Sequence, residues 1–176
     1  MTLPDRIVEL ARSYIGQEET PNNSGFKNAW FQALMEKIGW IKSQSWCAYF
    51  AKSCWYTAFL ELDPVGAKLI LKYANGSSLQ TYYNFAKSKE FHVQTFPVPG
   101  ALVIFREGNS ASGHEGVVTP TMLTSTGFNF VSGNTSVTGA VSREGKIVAE
   151  KYRKLNLPYN PNGLNIIGFV VPTRIA

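Results

Sequence analysis

The sequence predicts an α+β fold, with N-terminal helices packed on a C-terminal antiparallel sheet of about five to six strands. Three observations predict it. Apolar residues recur at helical spacing up to about residue 95, and beyond it the pattern changes to short apolar segments cut by Gly, Asn, Ser and Pro. Helices first and consecutive strands afterwards favour an antiparallel sheet over βαβ units. No repeat, low-complexity tract or long linker interrupts the 176 residues, so one domain spans 1–176. The chain is 44% hydrophobic, enough for a sizeable core, and with 13% aromatic and 16% charged residues it is not disordered.

The elements follow in order. Thr2-Leu3-Pro4-Asp5 reads as a capping box, followed by a stripe of Leu3, Ile7, Leu10, Ala11 and Tyr14 that Gly16 can end. A second helix is expected from Phe26 to Ile38, capped by Ser24 and stopped by Gly39. A third is expected from Trp46 to Leu60 with Ser45 as N-cap. Asp63-Pro64 opens a fourth through Tyr73, and a short fifth covers Leu79 to Lys87. Strands are expected at Ala101–Phe105, His114–Thr119, Phe128–Ser132, Val137–Ser142, Ile147–Arg153 and Ile166–Val171.

The formal net charge of +5 favours an anionic partner such as nucleic acid, a membrane surface or wall polymer. Nucleic-acid binding is disfavoured by the absence of a basic stripe, zinc spacing or an RNA-binding aromatic signature. The one tight basic cluster, Lys151-Tyr152-Arg153-Lys154, is read as a solvated strand or turn. The N-terminus carries Asp5 and Glu9 and lacks the apolar stretch of a signal peptide, and no segment reaches the ~20 apolar residues of a membrane span. A chain made in the cytoplasm is therefore expected, with no membrane insertion. Two histidines without HExxH or CxxC offer no metal-ligand set, and there is no P-loop or GxSxG elbow, so no metal or cofactor is expected.

Both cysteines fall in the run SQSWCAYFAKSCWY. Seven residues of helix rise about 10 Å, whereas disulfide Cα atoms lie within about 7 Å, so Cys47 and Cys54 should not pair. Cys54, among apolar neighbours, reads as a small buried hydrophobe. Cys47 stands in the first turn, where unpaired N–H groups and the helix dipole favour a thiolate and can hold an oxyanion. Position alone leaves function and packing open for it. His92 reads as a surface histidine. His114 is delivered by the turn GNSASG to the start of an apolar strand, where it can face a cleft or be a satisfied polar residue. Asn134, beside Gly133, is either a turn residue or the amide that orients an imidazole, as in Cys-His-Asn enzymes.

Four segments in order carry a resemblance: Trp46-Cys47-Ala48, Pro99-Gly100-Ala101-Leu102-Val103-Ile104-Phe105, Gly113-His114-Glu115-Gly116-Val117-Val118 and Gly133-Asn134. With the lead-in RIVELARSYIGQEE and the closing IIGFVVP, they make the chain similar to the CHAP family, the cysteine- and histidine-dependent amidohydrolases/peptidases of bacterial and phage cell-wall hydrolases. The resemblance implies a papain-like fold and a single catalytic domain with Cys47 as nucleophile, His114 as base and Asn134 as its orienting residue. Peptidoglycan is the implied substrate, cut in its stem peptide or at the muramoyl-L-alanine linkage.

Further expectations attach to it. Gln44 is a candidate oxyanion donor, and Trp40, Tyr49, Tyr82 and Tyr83 are candidate groove walls, with core packing the competing reading for each. The segment Glu36–Trp46 has one carboxylate, too few for calcium. Ala101, Glu115 and Ser132 depart from the family pattern, and Glu115, next to the base on a strand, is expected to point away. These departures motivate the alternative of an inactive wall-binding module with the same fold. Phage lysin, autolysin and secreted toxin fit equally. Each would act on the wall after release or secretion, and a toxin would need an immunity or inhibitor protein.

Overall fold

Thr2 opens the chain's first helix in the way its neighbours dictate. Its hydroxyl accepts from the Asp5 N–H at 3.3 Å and the Asp5 carboxylate accepts from the Thr2 N–H at 3.1 Å. The computed structural model describes residues 1–139, 141 and 145–174. Among them, five α-helices precede a six-strand sheet: α1 (Leu3–Ser13), α2 (Ala29–Lys37), α3 (Cys47–Leu62), α4 (Pro64–Tyr73), α5 (Ser78–Lys87), β1 (Phe91–Gln94), β2 (Leu102–Glu107), β3 (Gly113–Val118), β4 (Gly127–Thr135), β5 (Ile147–Lys154) and β6 (Leu164–Arg174). The strands run in the order β1-β6-β2-β3-β4-β5, each pair antiparallel. No helix among the described residues is long and apolar enough to cross a membrane.

Several helix starts differ from expectation. α2 begins at Ala29, since the Asn28 side chain accepts from the N–H groups of Trp30 and Phe31. α3 begins at Cys47 after Trp46, which contributes no side-chain cap, so Ser45 is not the N-cap. α5 starts at Ser78 behind a Ser77 cap. The segment expected as a strand at Val137–Ser142 bends at Val137, Thr138 and Gly139, while Ala140 and Ser142 lie outside the described residues. β1, at the sheet edge, has the exposed His92 on it.

The helices cover one face of the sheet. Buried α3 packs there with Leu102, Ile104, Val117, Val131 and Val170 in the main core. Phe26 anchors an aromatic cluster, with ring centroids 4.8 Å from Trp40, 4.9 Å from Phe31 and 5.0 Å from Trp46; each such pair adds about 0.5–1.5 kcal/mol beyond its buried area. The opposite face carries a second core of Val103, Phe105, Val118, Phe128, Phe130 and Phe169. Because both faces are covered, β2 reads Leu-Val-Ile-Phe without polar alternation.

The basic cluster is only partly solvated. Lys151 is buried, and its ammonium donates to the carbonyls of Ser136, Thr138 and Gly139 at 3.0, 3.3 and 2.9 Å. Two glycines have a steric reason. Gly100 has φ +80° and a Cβ there would lie 2.9 Å from Pro4 Cα; a Cβ on Gly133 would lie 2.3 Å from the Trp46 ring.

Candidate functional site

Cys47 is the first residue of α3, and the cavity above it is lined by Ser45, Gly76, Ser77, Ser78, Ser112 and Gly113, with a volume of about 180 Å³. The α4–α5 turn and the turn before β3 supply most of these small residues, which let the cavity approach a cysteine that is itself 5% exposed. The sulfur lies 3.9 Å from the Ser78 hydroxyl, and the nearby backbone N–H groups of Ala48 and Glu115 act as donors toward a thiolate there. Those donors favour a thiolate, as the helix N-terminus was expected to do. Burial outweighs them, and with the neighbouring Glu115 carboxyl it pushes the Cys47 thiol up to about 11. The thiol is therefore protonated at neutral pH, contrary to the low value expected from helix position.

Strand register explains why Glu115 is the neighbour. β3 pairs Glu115 with Ile104 and Val117 with Leu102, both on the helix face, whereas His114 pairs with Phe105 on the other. The His114 ring lies 6.2 Å from the Phe105 ring, and its Nε2 is 3.1 Å from the Ser132 hydroxyl on β4. A Cβ added at Gly116 would likewise meet Phe130 and Ser132, on that same face. The expected arrangement is thus reversed: Glu115 points toward Cys47, and His114 points away from it.

Glu115 is 1% exposed. Among the described residues neither of its carboxyl oxygens has a well-formed hydrogen bond, and the nearby Ser78 hydroxyl favours the charged form. Burial holds its pKa well above the ordinary carboxylate range. Thiol, hydroxyl and carboxyl thus form a buried Cys47–Ser78–Glu115 group at the cavity floor. Ser78 and the orientation of Glu115 were missed from sequence. The Asn75-Gly76-Ser77 turn was a visible signal for Ser78, but nothing local tied it to Cys47.

The other expected site residues do not line this cavity. Asn134 is buried in β4 at φ +53°, where the register shifts between Ser132 and Thr135; Asn tolerates that left-handed backbone better than most residues. Gln44 braces two aromatics, accepting from the Tyr49 hydroxyl at 2.8 Å through its side chain and from Trp40 Nε1 at 3.0 Å through its backbone. Trp40 belongs to the core and is not a groove wall. Tyr49 is buried against Gly76, behind the turn that lines the cavity. Tyr82 packs on Gly168 and meets Tyr83 at 5.7 Å, and neither lines the cavity. Cys47 and Cys54 are both free. Among the described residues no three His, Cys, Asp or Glu side chains group as metal ligands.

Comparison of the chain with protein-family models, curated proteins and solved structures finds no match.

Proposed function

We propose that the chain is a thiol-dependent peptidoglycan hydrolase that cleaves an amide bond in the stem peptide or at the muramoyl-L-alanine linkage, as the resemblance to the CHAP family implies. One observation carries the reading: a cysteine at the N-terminus of a buried helix sits beneath a cavity and against a buried carboxyl. The cavity's hydroxyl- and glycine-rich lining suits an extended peptide backbone, whose amides need donors and close approach.

The proton chemistry follows from Glu115. Once ionised, at a pH above its raised pKa, Glu115 is a stronger base than an exposed carboxylate. It takes the Cys47 proton as sulfur attacks the amide carbonyl, and the carbonyl π electrons move to oxygen. The N–H groups of the first turn of α3 supply the donors for that developing charge. Collapse expels the amine, which takes the proton back from Glu115. Water, deprotonated by Glu115, then hydrolyses the thioester and regenerates the thiol. In this scheme His114 is structural.

A second reading, an inactive wall-binding module of the same fold, is favoured by the orientation of His114 on the opposite sheet face. Incubation with purified peptidoglycan, followed by mass spectrometry of soluble fragments, separates the two. Hydrolysis predicts new amine and carboxyl ends with the native chain and none with Cys47→Ala. Co-sedimentation with insoluble peptidoglycan without fragments, unchanged in Cys47→Ala, supports the binding module and overturns the hydrolase. The fragments also identify the bond. On either reading the chain acts on the wall after release or secretion, and the cavity over Cys47 is where an immunity or inhibitor protein would act.

A further inference from the structure

The sheet face away from Cys47 holds a cation with no counter-charge among the described residues. Arg153 on β5 stands opposite Phe128, and its guanidinium lies 5.7 Å from the centre of the Phe105 ring. Nη2 donates to the Leu164 carbonyl, and Nε is buried with no acceptor. Among the described residues, the ion pairs engage Arg6, Arg12, Lys27, Lys146 and Arg174 but not Arg153. Burial lowers its pKa. A charge half-withdrawn from water without an anion is costly, and an arriving anion relieves that cost.

Arg153 also lines a groove. Two hollows, of about 610 Å³ and about 190 Å³, share Arg153, Leu157 and Tyr159. The larger lies within the usual range of small-molecule sites, roughly 300–1,000 Å³. Its rim, from the β5–β6 connection, exposes Leu157 and Tyr159 beside Pro158 and Pro161. Apolar and aromatic walls around one guanidinium suit an anion attached to an apolar or amide body more than a bare inorganic ion. The guanidinium fork matches a carboxylate, which can accept two parallel hydrogen bonds.

We propose that this groove binds a peptide's C-terminal carboxylate, with Arg153 as the anion receptor and Leu157 and Tyr159 contacting the residues that precede it. The site is independent of the thiol chemistry, because it lies on the other side of the sheet and uses none of the Cys47 group.

The test titrates the full chain with N-acetyl-alanyl-alanine and, separately, with its C-terminal amide, followed by ¹H–¹⁵N chemical shifts. The acid is expected to shift the Arg153 Nε–H and the backbone N–H groups of Leu157 and Tyr159, and to bind about tenfold or more tightly than the amide, as a charge-assisted pair implies. Arg153→Lys, which keeps the charge and loses the fork, should weaken the acid about tenfold and leave the amide unchanged. Equal binding of acid and amide, no binding of either, or shifts confined to other parts of the chain would overturn the proposal. Should Arg153→Lys fail to fold, the acid-versus-amide comparison on the unaltered chain still decides.

Discussion

His114 and Glu115 are adjacent in the chain and lie on opposite faces of the sheet: the imidazole rests on Phe105 and Ser132, and the carboxyl lies beside the Cys47 thiol. The two residues therefore differ in what their loss should do. His114→Ala removes a fully buried ring and strands the Ser132 hydroxyl, so it should cost roughly 2–4 kcal/mol in urea unfolding. It should lower hydrolysis only through loss of folded protein. Glu115→Gln should instead lower kcat while the folded fraction stays high. A His114 variant that folds fully yet loses all hydrolysis would contradict this division.

Glu115 also makes stability depend on pH in a defined sense. Its folded pKa is raised from the ordinary value of 4.5, so between those two values the folded chain holds a proton that the unfolded chain has released. Stability then falls as pH rises through that window, by up to about 1.4 kcal/mol per unit, and the loss is complete above the folded pKa. Thermal unfolding of the native chain and of Glu115→Gln from pH 4 to pH 8 should show this decline in the native chain and a flatter profile in the variant. Parallel profiles would mean that Glu115 keeps an ordinary pKa.

Thiol reactivity should be slow at neutral pH. With Cys47 at about 11, only about one thiol in ten thousand is ionised at pH 7. Iodoacetamide labelling of Cys47 should therefore accelerate steadily to above pH 9. Glu115→Gln should raise the rate at pH 8, because it removes the carboxylate that disfavours the thiolate. Cys54, fully buried and also shifted upward, should stay unlabelled in the folded chain. Rapid Cys47 labelling below pH 7 would show that a donor outside the Cys47–Ser78–Glu115 group stabilises the thiolate.

Gly133 is a steric test of how α3 seats on the sheet. A methyl group there would collide with the Trp46 ring and the Phe50 side chain, the two aromatics that flank Cys47 at the helix start. Gly133→Ala should cost about 1–3 kcal/mol and shift the indole fluorescence of the folded state. Unchanged stability and emission would mean that the helix start can slide without penalty.

Much of the fold was legible because local chemistry and tertiary packing agree. The Thr2–Asp5 box, the Asp63-Pro64 start and the change from helical to strand pattern each act within a few residues. Helix starts went astray where neighbouring caps compete, as at Asn28 against Ser24. In the candidate site, Cys47 was legible from its place in the helix. The facing of His114 was not, since Leu-Val-Ile-Phe in β2 is apolar on both sides and leaves no alternation to set the strand's orientation. Asn134 is a polar residue beside a glycine, and its left-handed backbone gives it a local reason to be there. The burial of Lys151 is not legible, because sequence does not show which distant carbonyls converge on an amine.

That amine holds the Ser136–Gly139 turn from its centre, in the place where many proteins lodge a metal ion. An ion on a covalent tether cannot be chelated away, so EDTA should leave the turn as resistant to proteolysis as before. Acetylating this one side chain would do what chelation cannot, turning a charged rivet into a neutral amide too bulky for its seat and freeing the turn to be cut.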